Sequence, residues 1–328
     1  MSERQSSGRT PVDTFLDDLF GGKAVNAGEI DYWPLLRIQD KRDNLIPLRL
    51  NRVQKHLLAN LTGRDLVLKA RQMGLSTAIQ ADQFVTAITR RTRSATLAHD
   101  DAGTALLRRM AERFWVNLPD DKRPPRGLDN ATTTTYPQTG SEVFIATAGS
   151  KNKGRAGTYT RVHGSEVAFW PDAAATMAGL MQGVPDTGQV VLESTPNGAQ
   201  GWFYERCMEA LDGNGVWTLH FFPWWWDDGY RLPLEEGETL DYDGDELRLV
   251  QKHGLTPEQI KWRRAKQAEL KHLFIQEYPE DPRSCFLLSG IGYFGDLTGV
   301  FTAPWGAVPQ AGHRYVAGLD FGQANDYT

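Results

Sequence analysis

The stretch Asp65 to Thr77, DLVLKARQMGLST, limits the possible folds more than any other part of the chain. It opens with the apolar run Leu66, Val67 and Leu68, which reads as a buried strand, and closes on Ser76 and Thr77, where a helix can start. The turn between them carries Lys69, Arg71 and Gly74. A strand that turns tightly into a helix leaves the first helical N–H groups unpaired and the positive end of the helix dipole exposed, which suits a phosphate chain. The usual phosphate loop is Gly, four residues, Gly, Lys, then Ser or Thr. With Gly74 as the second glycine, Lys69 stands where the first glycine belongs and Leu75 where the lysine belongs. The spacing fails, yet a lysine entering from the first position still brings an ammonium to the phosphates, and Ser76 still offers a hydroxyl to Mg²⁺. Read alone, the segment is equally an ordinary strand-to-helix turn with an exposed Lys and Arg.

The 328 residues, 40% hydrophobic and 23% charged, have the balance of a globular chain with one large core or two moderate ones. The net charge of −5 is unevenly spread. Residues 51–161 hold 18 Lys and Arg against 9 Asp and Glu, whereas residues 162–328 hold 11 against 24. The basic half predicts an anionic partner. With Cys207 and Cys285 as the only cysteines, there is no disulfide framework and no Cys-based zinc site, which points to a reducing compartment. No apolar run is long enough to cross a bilayer, and the N-terminus lacks the apolar core of a signal peptide, so a cytosolic protein is expected.

Residues 1–45 read as an N-terminal arm, with Phe15, Leu16, Leu19 and Phe20 as a short amphipathic helical segment. Val53, Leu57 and Leu58 share one helical face, and Gln54 stands at the start of that helix. Its amide could match an adenine edge or simply face solvent. Beyond the loop, Ile79, Phe84, Val85 and Ile88 fit a helix on a sheet. A strand at Ala95–Ala98, a helix over HDDAGTALLRRMAERFW and strands at Ser141–Ala148, Thr158–Gly164 and Gln189–Thr195 follow. Residues 150–157, SKNKGRAG, read as a cationic loop able to order around phosphate or to remain a surface turn. This alternation predicts an α/β fold with a mostly parallel central sheet flanked by helices, with ligands at the carboxyl ends of the strands. Arg71 with Gly74, Glu166, and Thr195 with Asn197 all fall at such ends.

The ordered series KARQMGLST, GSEVAFW, ESTPNG, HFFPWWWDD and IQEYPEDPRSCF, from about Leu50 to the end of the chain, resembles the large terminase subunit of tailed bacteriophages. The resemblance implies a P-loop ATPase of the additional-strand, catalytic-glutamate type over residues 46–225, a lid and linker subdomain over 226–296, a linker over 297–313, and the first strand of a ribonuclease-H-like nuclease domain over 314–328. It implies ATP and Mg²⁺ as cofactors. Gln54 would contact adenine, and Lys69, Ala70, Arg71, Gln72, Met73, Gly74, Leu75, Ser76 and Thr77 would form the nucleotide loop. Arg71 would hold or sense the γ-phosphate, and Ser76 would meet the Mg²⁺. Glu166 would orient and deprotonate the attacking water, with Lys69 and Arg71 beside it, and Ser194, Thr195 and Asn197 would couple hydrolysis to movement. The acidic residue that normally precedes the catalytic glutamate is Ser165 here, so metal affinity is expected to rest more on the phosphates of the nucleotide.

The apolar strand of RYVAGLDFGQANDYT delivers Asp320, which the resemblance makes a nuclease metal ligand, with Asp326 six residues later. A two-metal nuclease needs carboxylates from several strands, so no DNA cleavage is expected from this chain alone. The expected function is that of a motor subunit moving double-stranded viral DNA into procapsids. Its implied partners are the portal protein, the small terminase subunit and further copies of itself, and its implied place is the host cytoplasm during virion assembly, with no membrane. Arg90, Arg91, Arg93, Arg108, Arg109, Lys122, Arg123 and Arg126 are candidate DNA-backbone contacts, although for each taken singly a solvated surface charge is the commoner use. Trp224, Trp225 and Trp226 read as packing, EEGETLDYDGDE as a solvated loop, Thr256-Pro257-Glu258 as a helix start, and KWRRAKQAELKH as a face for DNA or water. Two other classes stay open: a nucleotide-fold adaptor binding DNA, portal or small subunit without efficient hydrolysis, favoured by Leu75 and Ser165, and a helicase-like remodeller, for which no second motif cluster follows Thr195.

Overall fold

Short apolar runs alternating with helices assemble the central sheet of the computed structural model, which describes residues 30–149 and 157–287 together with Gly312 and Arg314. The chain divides into two compact units, Met1–Gly290 and Ile291–Thr328. The expected linker at 297–313 apart from Gly312, the strand carrying Asp320, the cations of the 150–157 loop and the helical segment at Phe15–Phe20 lie outside the described residues.

Among the described residues of the first unit, a short 3-10 helix at Trp33–Leu35 leads into a hairpin of β1 (Arg37–Gln39) and β2 (Leu45–Pro47), followed by helix α1 (Arg52–Ala59). Next come β3 (Arg64–Lys69), α2 (Leu75–Thr89), β4 (Arg93–Ala98), α3 (Asp101–Val116), β5 (Thr133–Tyr136), β6 (Ser141–Thr147) and β7 (Arg161–Ser165). The series continues with α4 (Ala173–Met181), β8 (Gln189–Ser194), α5 (Gly201–Leu211) and β9 (Thr218–Phe222). Helices α6 (Gly244–His253), α7 (Pro257–Leu270), α8 (Phe274–Glu277) and α9 (Ser284–Leu287) complete the unit.

Seven strands form one sheet in the order β5-β6-β4-β7-β8-β3-β9. All neighbours run parallel except β5 against β6. The mostly parallel α/β architecture expected from the sequence is therefore present, with an antiparallel edge. Its decisive feature is that β8 lies between β3 and β7. The carboxyl ends of the loop strand, the Glu166 strand and the Ser194 strand consequently sit side by side.

A parallel strand covered on both faces is apolar on both in its middle, as Leu66, Val67 and Leu68 of β3 are. Leu66 and Leu68 enter a cluster with Val162, Leu192 and Phe203, while Val67 enters another with Val191, Ile79, Phe222, Trp224 and Trp262. Burying one such Leu or Val is worth roughly 1.5–3 kcal/mol. A third cluster joins Leu36 and Leu48, which flank the hairpin, to Phe84 of α2 and Phe114 of α3. The hairpin thus crosses the expected boundary at residue 45, and the described end of the arm packs with the core.

The acidic stretch at 235–246 is not wholly a solvated loop. Asp243 caps α6 in a capping box with Glu246, and Glu246 is buried against Arg264. Thr256 and Pro257 start α7 as expected, with Gln259 closing the box. The charge run on α7 serves neither water nor DNA alone. Arg263 is buried and grips Glu280 at 2.7 Å, Arg264 holds Glu246 at 2.6 Å and Lys261 holds Glu238 at 2.6 Å. Trp224 is fully buried and stacks near Trp262, with centroids 4.8 Å apart, so the tryptophan run is packing.

Candidate nucleotide site

The turn from β3 into α2 is built by bonds from three directions. Ala70 N–H donates to the Phe222 carbonyl of β9 at 3.0 Å, Asn51 Nδ2 to the Met73 carbonyl at 3.2 Å, and Gln54 Nε2 to the Gly74 carbonyl at 2.7 Å. Gln72 (φ 58°) and Gly74 (φ 74°) both lie in the left-handed region. No side chain caps α2, so its first-turn N–H groups are not taken up by a capping residue. A Cβ at residue 74 would lie 2.7 Å from Gln54 Nε2, and positive φ disfavours a side chain there. Gly74→Ala should lose about 2 kcal/mol in denaturant unfolding, the left-handed cost of roughly 1–2 kcal/mol plus displacement of Gln54. An unchanged unfolding midpoint would contradict this account of the loop.

Lys69 ends β3 with its side chain buried, and its Nζ lies 3.1 Å from Glu166 Oε1 and 3.0 Å from Glu193 Oε2. Burial alone would lower the lysine pKa, but the two carboxylates, Glu193 first, outweigh it and hold the ammonium above its ordinary value. Glu166 follows the last residue of β7 with φ 54° and ψ 50°, a strained left-handed conformation for a non-glycine residue and of the sort that collects at functional positions. Its Oε2 accepts from Ser194 Oγ and from Thr195 N–H, each at 3.3 Å. Ser194 Oγ also accepts from Ala168 N–H at 3.2 Å, and Asn197 Nδ2 donates to the Ala168 carbonyl at 3.0 Å. The residues expected to couple hydrolysis to motion therefore hold Glu166 and the turn after it.

Glu193 is the site residue that sequence reasoning missed. It is completely buried near the end of β8, in register with Ser165 of β7. Its Oε1 accepts from Ser76 Oγ at 2.6 Å and from Ser165 Oγ at 2.8 Å. Burial would raise its pKa, but the Lys69 ammonium, with His163 and Ser76, holds the carboxyl below the usual carboxylate range. His163 is itself placed by Gln80, whose Nε2 lies 2.8 Å from Nδ1, and its Nε2 stands 3.4 Å from Glu193 Oε1. The signal was present in VVLEST, a charged residue closing an apolar strand, where the burial has to be compensated.

Two expected nucleotide contacts have other partners here. Gln54 is the N3 residue of the capping box that starts α1: its Oε1 accepts from Asn51 N–H at 2.9 Å while its Nε2 clamps the loop at Gly74. Both ends of the amide are engaged within the protein. Arg71 is exposed, and its guanidinium pairs with Glu277 of α8 at 2.8 Å. Its N–H donates to the Glu277 carbonyl at 2.9 Å, and its own carbonyl accepts from Tyr230 Oη. Glu166 still adds to the field at Arg71. Thr77 faces Met110, its Oγ1 lying 3.9 Å from the sulfur.

Of the candidate DNA contacts, Arg126 pairs with Glu112 at 2.6 Å and lies over Trp115, Arg123 pairs with Asp120 and Arg108 with Asp129. Arg90, Arg91, Arg93 and Arg109 are exposed. The first three lie at the amino end of β4, across the sheet from the Lys69 cluster.

No protein-family model and no curated protein matches the sequence. Among solved structures, the HK97 bacteriophage large terminase superposes with a TM-score of 0.52 at 14% identity, covering 71% of this chain and 50% of that one. The α/β fold is that of part of a phage large terminase. The large terminase ATPase domain of Thermus phage P74-26 is similar at 18% identity over 70% of this chain and 92% of that domain, with a TM-score of 0.49. A large terminase from a thermophilic bacteriophage, in complex with ADP, follows at 13% identity over 53% of this chain and 46% of that one, with a TM-score of 0.42. The chain spans about half the length of the HK97 terminase. Among the described residues, no helix is long and apolar enough to cross a membrane.

Proposed function

We propose that this chain is an ATP-hydrolysing motor subunit that moves double-stranded viral DNA into procapsids, acting as further copies of itself on a portal with a small terminase subunit. The observation that carries the reading is the buried ammonium of Lys69 held between Glu166 and Glu193 at the tips of adjacent parallel strands, beside the start of α2. Phosphoryl transfer to water asks little covalent chemistry of a protein. It needs cations around the transferred group and one carboxylate to position the nucleophile.

The chain's own residues divide that work. The first-turn N–H groups of α2 and the Lys69 ammonium receive the phosphates. A phosphate reaching Lys69 competes with Glu166 for the ammonium, and release of that contact frees Glu166 Oε1 to accept a proton from water. Ser194 and Thr195 meanwhile hold the other oxygen, so the carboxylate stays aimed. Ser76 and Ser165 turn their hydroxyls to one carboxylate oxygen, a set of oxygen donors that suits Mg²⁺, and Ser76 is the residue that would hold it. Bound with ATP, Mg²⁺ would neutralise charge developing on the transferred phosphoryl group.

The test is ATP turnover by the purified chain with and without double-stranded DNA over a series of salt concentrations. Turnover stimulated by DNA, with stimulation falling steeply as salt rises, is the expected result. Salt-sensitive DNA binding with no turnover under any condition would favour the adaptor, the reading that Ser165 supports.

A further inference from the structure

The ATPase reading leaves a charge problem at the strand tips. The position before Glu166 is Ser165, so β7 brings only one carboxylate there. Its register partner on β8 is Glu193, and the Ser165 hydroxyl donates to Glu193 Oε1 at 2.8 Å. The same oxygen takes the Ser76 hydroxyl at 2.6 Å. The other oxygen, Oε2, is buried and pairs with Lys69 Nζ at 3.0 Å.

If Glu193 served only to neutralise Lys69, one carboxylate would suffice. Lys69 instead has two, since Glu166 lies 3.1 Å away, and together these three residues carry an excess of one negative charge. The groups around them are Ser76, Ser165, Ser194 and His163, the last 3.4 Å from Glu193 Oε1. Glu166 keeps part of its surface in solvent, so what the buried side offers an incoming cation is the fixed oxygen cluster around Glu193 Oε1. Among the described residues, no group of three acidic, His or Cys side chains could hold a metal by itself. Mg²⁺ arriving with a nucleotide takes one or two protein groups and fills its remaining positions with phosphate and water.

We propose that Glu193 is a metal-site residue: it supplies, from β8, the Mg²⁺-side carboxylate that β7 lacks at Ser165, acting beside Ser76 directly or through metal-bound water. The inference rests on the ATPase reading and adds a relocation to it. The acidic group stands one strand to the side, in register with Ser165 and hydrogen-bonded to it. The expectation that metal affinity rests mainly on the nucleotide's phosphates is then replaced by a protein contribution.

The experiment measures binding of a non-hydrolysable fluorescent ATP analogue while Mg²⁺ is titrated and in excess EDTA, together with Mn²⁺ binding to the nucleotide complex by electron paramagnetic resonance. Wild type should bind more tightly as Mg²⁺ rises. Glu193→Gln should require about 10–100-fold more Mg²⁺ for the same gain, the usual effect of removing a group that supports a metal, while binding in EDTA changes far less. Adding Ser165→Asp to Glu193→Gln should return most of the Mg²⁺ dependence and the Mn²⁺ signal. If Glu193→Gln fails to fold, Glu193→Asp keeps the charge but withdraws it by one methylene, and it should show the same selective weakening. A Mg²⁺ dependence equal to wild type in these variants would overturn the proposal, as would an equal loss of affinity with and without Mg²⁺, which would make Glu193 only the counter-ion of Lys69. Wild type that binds no nucleotide under any condition would overturn the ATPase reading itself, and this proposal with it.

Discussion

Glu166→Ala should lower the rate of ATP hydrolysis by about 10²–10⁴-fold, the range associated with loss of a positioned general base, while nucleotide affinity stays within a few-fold of wild type. The reason for the asymmetry is local. Without Glu166, Lys69 keeps its pair with fully buried Glu193, and the loop keeps its bonds to Phe222, Asn51 and Gln54. Glu166 is itself partly exposed, so its removal leaves no buried charge alone. Glu166→Gln is the sharper control because it preserves shape and hydrogen bonding to Ser194 but cannot take a proton. Single-turnover rates would separate chemistry from product release. Turnover within about threefold of wild type in both variants would remove Glu166 from the mechanism.

Lys69→Met should do the opposite, costing stability as well as binding. Removing one partner of a buried pair strands the other charge, at a cost of about 3–5 kcal/mol. Here the stranded group is Glu193, completely buried. The double variant Lys69→Met with Glu193→Gln should recover much of the lost stability but none of the nucleotide affinity, because the phosphates still lack their ammonium. The pH dependence gives a second readout. In wild type, Glu193 is held below its ordinary 4.5 and Lys69 above its ordinary 10.5. Glu193 contributes stability that is present above its ordinary value and is lost as pH falls below it. Lys69 contributes stability that is fully present below its ordinary value and is lost as pH rises through the raised one. In Lys69→Met, burial acts on Glu193 without the cation, so its pKa rises and the acid side reverses: stability should improve as pH falls through the carboxyl range. Thermal unfolding between pH 4 and pH 8 would show this, and parallel curves for wild type and Lys69→Met would contradict it.

Much of the fold was legible because its signals are local. The apolar run, Gly74 and the hydroxyls of Ser76 and Thr77 specified a strand, a turn and a helix within one short segment. Glu166 and the Ser194 to Asn197 turn were found as strand ends. What escaped depends on partners far apart in sequence. Glu193 meets Ser76 across 117 residues, and Arg71 meets Glu277 across 206, separations at which periodicity and turn chemistry carry no information. Gln54 escaped for another reason. Its spacing from Asn51 is that of a capping box, and one amide offers the same donor and acceptor to a helix start as to an adenine edge, so residue type alone does not separate the two uses. The charge run on α7 misled similarly, because composition cannot tell a solvated arginine from one buried against Glu280.

The grip on Arg71 has a mechanical meaning. One residue of the loop is tied to the helical extension by its amide, its carbonyl and its guanidinium together, to Glu277 on one side and Tyr230 on the other. Three attachments at a single hinge leave little slack, so a displacement of the loop acts as a crank on α8, and a tug on α8 is felt where the phosphates would sit. A shift of the loop on receiving phosphate would therefore reach α8 before any other helix of this region.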